Sequence, residues 1–130
     1  MPSSFHCSLI TPEQQLFEGP VDYASIPAWD GLLGVMHQRA PIVVQLGNGP
    51  LRLDLPEGKK QWFFIGRGFA QMKDNHLSLV ANEAVARDQI DPREAEASLK
   101  EAQARVATGD EQIARRQRDI ERARAMLAMR

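Results

Sequence analysis

Residues 87–97 read RDQIDPREAEA, and the chain changes character inside that stretch. Asp91 can cap a helix through its carboxylate. Pro92 suits the first helical position, where its missing N–H needs no partner. Glu94 stands three residues past the cap, as in a capping box. From Asp91 onward there is no Phe, Trp or Tyr, and the strong helix formers Ala, Glu, Gln and Arg dominate. TGD at 108–110 breaks the pattern, with Gly109 ending one helix and Asp110 available to cap the next. The expectation is an antiparallel helical hairpin over 87–130, with helices at about 92–107 and 111–129.

Upstream of that stretch the text is β-type. Short apolar or alternating runs are punctuated by turn residues about every 8–12 positions, the pattern of a sandwich or barrel. The runs are FHCSLIT (5–11), LFEG (16–19), VDYASIP (21–27), LLGVM (32–36), PIVVQL (41–46), LRLDL (51–55), QWFFIG (61–66), GFAQMK (68–73) and HLSLV (76–80). GNGP (47–50) and PEGKK (56–60) read as turns, DN (74–75) as a tight hairpin turn, and GRG (66–68) as a hairpin or bulge glycine pair. Alternation sets Val21, Tyr23 and Ser25 on one face, and Leu51, Leu53 and Leu55 inward. The expected fold is an all-β sandwich of about nine or ten strands over residues 1–86, followed by the hairpin.

The hairpin's apolar seam is thin. Helix one repeats Ala95, Leu99, Ala102 and Val106, and helix two repeats Ile113, Ile120 and Leu127. A few large side chains, each contributing about 1.5–3 kcal/mol when buried, must offset an ordering cost of about 1–2 kcal/mol per residue. Such a hairpin is a detachable part.

Charge is distributed to match. The whole chain has a net charge of −1, with 43% hydrophobic and 25% charged residues, values that exclude a chain built to coat nucleic acid. Residues 113–130 nevertheless carry six arginines against Asp119 and Glu121. Arg115, Arg118 and Arg122 recur at helical spacing, while Arg116, Arg124 and Arg130 have no acid four residues away. A solvated face is the plain alternative. Nucleic acid is disfavoured because no aromatic side chain lies among the arginines, and lipid because no Trp or Phe lines the opposite face. An acidic protein surface is the remaining target.

Other chemistry is sparse. Cys7 is the only cysteine, which fits a reducing compartment and a small core-facing residue. His6, His37 and His76 have no metal-ligand spacing, and Glu18, Asp22 and Asp30 form no recognisable catalytic pair. MPSSFHCSLI has no basic segment leading into an apolar one, so no secretory leader is expected, and no apolar run approaches the roughly 20 residues of a membrane helix. Nothing in the residues supports an enzyme.

Four segments, in order, resemble the epsilon-subunit family of F-type ATP synthases. They are LITPEQQLFEGPVDYASIP (9–27), GLLGVMHQRAPIVVQLGNGPLRL (31–53), FFIGRGFAQMKDNHLSLVANEA (63–84) and IDPREA (90–95). The resemblance implies a non-catalytic rotor subunit of a proton- or sodium-translocating synthase. Its sandwich would join the gamma subunit to the c-ring, and its basic helix would press on an acidic segment of the beta subunit and inhibit ATP hydrolysis. Arg115, Arg116, Arg118 and Arg122 would make that inhibitory contact. Phe5, Phe69, Met72 and Leu77 are the expected gamma-docking residues, being more apolar than one core face needs. Trp29, Asp30, Leu32, His37, Gln38 and Arg39 are the expected c-ring contact, although the family commonly has an acid or polar residue at Leu32, and often Pro and His at His37 and Arg39.

Some relatives bind ATP through a hydrophobic-Asp-x-x-Arg-Ala motif with arginines on the second helix. Ile90, Asp91 and Ala95 fit that motif here, with Arg93 and Arg122 nearby. Glu94 replaces its arginine and would repel a polyphosphate, so no cofactor is expected. Localisation is implied as peripheral, on the cytoplasmic side of a bacterial inner membrane, reached only through the complex. The competing reading is a stand-alone β-domain adaptor or nucleic-acid-binding module using the basic helix.

Overall fold

The computed structural model describes residues 4–129, so Arg130 and the first three residues of the leader reading lie outside it. Seven strands form one hydrogen-bonded sheet in the order β2-β1-β7-β6-β5-β3-β4. They are β1 (Phe5–Ile10), β2 (Gln15–Val21), β3 (Tyr23–Ala28), β4 (Gly31–Val35), β5 (Ile42–Asp54), β6 (Lys60–Lys73) and β7 (His76–Ala86). Neighbours are antiparallel except β1 and β7, which run parallel from His6 opposite His76 to Ile10 opposite Val80. The β6–β7 turn is Asp74-Asn75, both with positive φ, the two-residue hairpin geometry expected of DN.

The count of nine or ten strands is corrected to seven among the described residues. GNGP and GRG are not turns between strands but corners within β5 and β6, and ladder pairing resumes in the same register beyond them. At the corner the inward side changes parity. In β5 it passes from Leu46 to Leu51 and Leu53, and in β6 from Phe63 and Ile65 to Ala70 and Met72. Arg67 and Gly68 both take positive φ there, and a Cβ on Gly68 would lie 2.1 Å from the Val80 carbonyl oxygen. These bent strands let one sheet fold over itself around seventeen buried apolar residues, among them Leu9, Ile26, Leu53, Ile65 and Leu79. Phase also breaks at Asp22, so Val21, Ala24 and Ile26 face inward, whereas Tyr23 and Ser25, expected beside Val21, do not. Cys7 is buried in this core, and burial pushes its thiol up to about 12.

A short 3-10 turn at Arg87–Gln89 leads into α1 (Pro92–Ala104), then α2 (Asp110–Ala128). Asp91 caps α1 as expected, its carboxylate accepting from the backbone N–H of Arg93 at 2.9 Å and of Glu94 at 3.5 Å. The first helix ends at Ala104, three residues earlier than expected, and Arg105–Thr108 run outside any helix. Gly109, with φ of 83°, takes the cap position, which leaves Asp110 as the first residue of α2. The seam is displaced too. Ala95, Ala102, Ile120, Ala123 and Met126 are buried, while Val106 is 85% exposed and Ile113 is exposed too.

A second, smaller cluster joins hairpin to sandwich: Phe64 from β6, Ile90 before the cap, Ala95 from α1 and Met126 from α2. Phe64 faces opposite to Phe63 and Ile65, which is why QWFFIG is apolar on both sides.

Candidate functional site

The four arginines expected to make the inhibitory contact, among the five of α2, fall into two kinds. Arg116 and Arg122 are engaged. The Nε of Arg116 donates to the Arg105 carbonyl at 3.2 Å and its Nη2 to the Gln103 carbonyl at 2.9 Å, closing the open end of α1. Arg122 meets Glu83 of β7 in a two-bond fork, Nε to Oε1 at 2.7 Å and Nη2 to Oε2 at 2.5 Å. The hydrogen bonds to the Glu83 carboxylate raise the Arg122 guanidinium above its ordinary range. Arg115 and Arg118 are exposed. Arg105 reinforces the hairpin from inside, donating to Asp119 at 2.8 Å and to Glu101 at 2.6 Å.

The expected docking set is corrected. Phe5, Met72 and Leu77 are buried in the main core and present no surface; Phe69 stays outside at 60% exposure. Its neighbours on that outer face were missed in the sequence: Ile10, Val80 and Val43, all exposed. Register aligns Ile10 with Val80 and Val80 with Phe69, while Phe69 stands opposite Gln45, two residues along β5 from Val43. Four adjacent strands thus display one apolar row, a feature that marks interaction surfaces.

The six residues expected on one ring-facing patch are divided. Trp29 and Asp30 form the β3–β4 turn with Leu32 just inside β4, and all three are exposed. His37, Gln38 and Arg39 follow the far end of β4, beyond roughly 14 Å of strand. There the Gln38 N–H donates to Asn75 Oδ1 at 2.7 Å, tying that loop to the β6–β7 turn. Trp29 instead borders a cleft of about 450 Å³ with Arg67, Arg118 and Glu121, so one expected ring residue and one expected inhibitory arginine line the same cleft.

The expected nucleotide region is a cleft of about 210 Å³ whose lining includes Glu83, Asp91, Glu94, Ser98, Arg122 and Met126. Three carboxylates face one guanidinium, which Glu83 already occupies. Asp91 is committed to the helix cap, and Arg93 is exposed outside the lining. Among the described residues no His, Cys, Asp and Glu side chains converge as metal ligands. Nor, among those residues, is any helix long and apolar enough to cross a membrane.

Residues 4–87 match the family described as ATP synthase, Delta/Epsilon chain, beta-sandwich domain. The chain belongs to the ATP synthase delta/epsilon family. The adaptor alternative is thereby replaced. Similarity runs past the sandwich of this delta/epsilon chain into its hairpin. The ATP synthase epsilon chain of Rhodopirellula baltica is 35% identical, covering 95% of this chain and 96% of its own. That of Nitratidesulfovibrio vulgaris is 30% identical, over 100% of this chain and 98% of its own. Among solved structures, a chain of the Euglena gracilis mitochondrial ATP synthase, determined as OSCP/F1/c-ring, superposes with a TM-score of 0.87 at 25% identity. It covers 98% of this chain and 82% of its own.

Proposed function

We propose that this chain is the epsilon subunit of an F-type ATP synthase, an accessory rather than catalytic part of the central stalk. Its sandwich docks on the gamma subunit and the c-ring, and its arginine helix acts as a brake on ATP hydrolysis by pressing on an acidic segment of the beta subunit. The chain reaches the membrane through that complex, on the cytoplasmic side of a bacterial inner membrane. One observation carries the brake. Among the described residues the hairpin meets the sandwich through a cluster of four buried residues, with Val85, Ala125, Leu127 and Met129 partly buried around it and the Arg122–Glu83 pair beside it, against seventeen buried in the main core, while Arg115 and Arg118 stay exposed. The weaker attachment is the one that can be exchanged for a partner.

The docking surface on this reading is the row Ile10, Val43, Phe69 and Val80. Trp29, Asp30 and Leu32 are the candidates for the ring; His37, Gln38 and Arg39 lie at the other end of β4, apart from that patch.

Replacing Arg115 and Arg118 with Ala in the assembled enzyme should raise ATP hydrolysis by roughly threefold, the scale of two exposed charge contacts. These two are the cleaner test, because Arg116 also ties α2 to α1 and Arg122 ties α2 to the sandwich. Hydrolysis at the original rate in that double variant, and in one lacking all four arginines, would leave the helix a solvated face.

The acidic cleft argues against ATP as a regulatory ligand. Millimolar ATP is expected to leave the melting temperature of the isolated chain within about 1 °C, whereas a ligand at a hundred times its Kd stabilises by about 2.7 kcal/mol. A rise of several degrees would refute the electrostatic argument.

A further inference from the structure

Among the described residues, Arg122 alone of the four brake arginines pairs with a carboxylate of the sandwich. The pairing is built rather than incidental. Glu83 sits opposite Gly66 in the β6–β7 ladder, and a Cβ on Gly66 would stand 3.0 Å from Glu83 Oε1 and 3.1 Å from its Cβ. The absent side chain lets the Glu83 chain lie across β6 and meet α2. Both partners are about one-third exposed, so the contact is shielded yet open to exchange. The two-bond fork saturates one edge of the guanidinium, so a second carboxylate cannot take the same edge at the same time.

We infer that Glu83 is an internal competitor for Arg122, a sandwich carboxylate that keeps the arginine helix docked by occupying the group a partner's acid would take. The competition rests on the brake reading; the holding of the helix does not. Arg105–Asp119 and Arg116 tie α1 to α2 and touch no strand, so they stay intact when the Glu83 contact breaks.

The test uses the full chain, free and assembled. In the free chain, Glu83→Gln should raise amide exchange of α2 residues near Arg122 by roughly fivefold, with exchange of the β5 and β6 core unchanged. Gly66→Ala, which displaces Glu83 without removing it, should raise α2 exchange in the same sense. The exchanged pair Glu83→Arg with Arg122→Glu should restore protection. Unchanged α2 exchange in Glu83→Gln overturns the inference. In the assembled enzyme, Glu83→Gln should deepen inhibition of hydrolysis. A variant whose α2 opens more readily but which inhibits no more strongly upholds the latch and refutes the brake.

Discussion

Phe69→Asp is expected to weaken binding of this subunit to gamma by at least about a hundredfold, while the isolated chain melts as before. Phe69 is the largest member of the exposed row that runs through Ile10, Val80 and Val43. Burying a phenylalanine contributes about 1.5–3 kcal/mol, and a carboxylate left unpaired in an interface adds a penalty of a few kcal/mol more. A hundredfold corresponds to about 2.7 kcal/mol, which the apolar term alone nearly supplies. The isolated fold is spared because the side chain touches solvent, not the core. Titration against gamma, paired with a melt of the free chain, separates the two effects. Full-strength binding by the aspartate variant would move the docking face elsewhere on the sandwich.

Phe64→Ala is expected to cost about 3–5 kcal/mol, the range for a fully buried aromatic, and to take it from the hairpin rather than from the sandwich. Phe64 is the largest side chain of the cluster with Ile90, Ala95 and Met126, and it lies on the opposite side of β6 from the main core. Its loss removes the surface on which Met126 rests. Hydrogen exchange should then show α1 and α2 opening freely while the strands that carry Leu53, Ile65 and Leu79 keep their protection. If strands and helices lose protection together, the hairpin is an integral part of the core and no brake can release. The comparison variant, Phe63→Ala, strikes the main core and should lower the stability of the whole chain.

Much of this arrangement was legible in the residues. Asp91-Pro92 marked the start of α1 to the residue, because a cap needs only local chemistry. The DN turn was legible for the same reason. Spacing also held information that went unused. Phe69 and Met72 are three residues apart in one strand and cannot share a face, and the DN hairpin sets Met72 opposite Leu77. Those two facts place Phe69 outside and the other pair inside. The strand corners were not legible, because a parity change inside a long bent strand looks the same as a turn between two short ones. Nor was the exposure of Val106 and Ile113, which fit the helical repeat but have no neighbour to cover them.

Local chemistry along the chain was enough to specify the two-part architecture, the helix cap and the permanent positive charge of α2. It also specified the acid at Glu94 that opposes a polyphosphate. Only the folded arrangement decided which apolar side chains remain outside, because that depends on how a bent sheet closes over its own inner face. It alone decided that Arg122 meets Glu83, 39 positions earlier in the chain, since the contact runs over the space Gly66 leaves in the intervening strand. Partner choice within the chain is a property of proximity, and proximity is created by burial of the core rather than by the charges themselves.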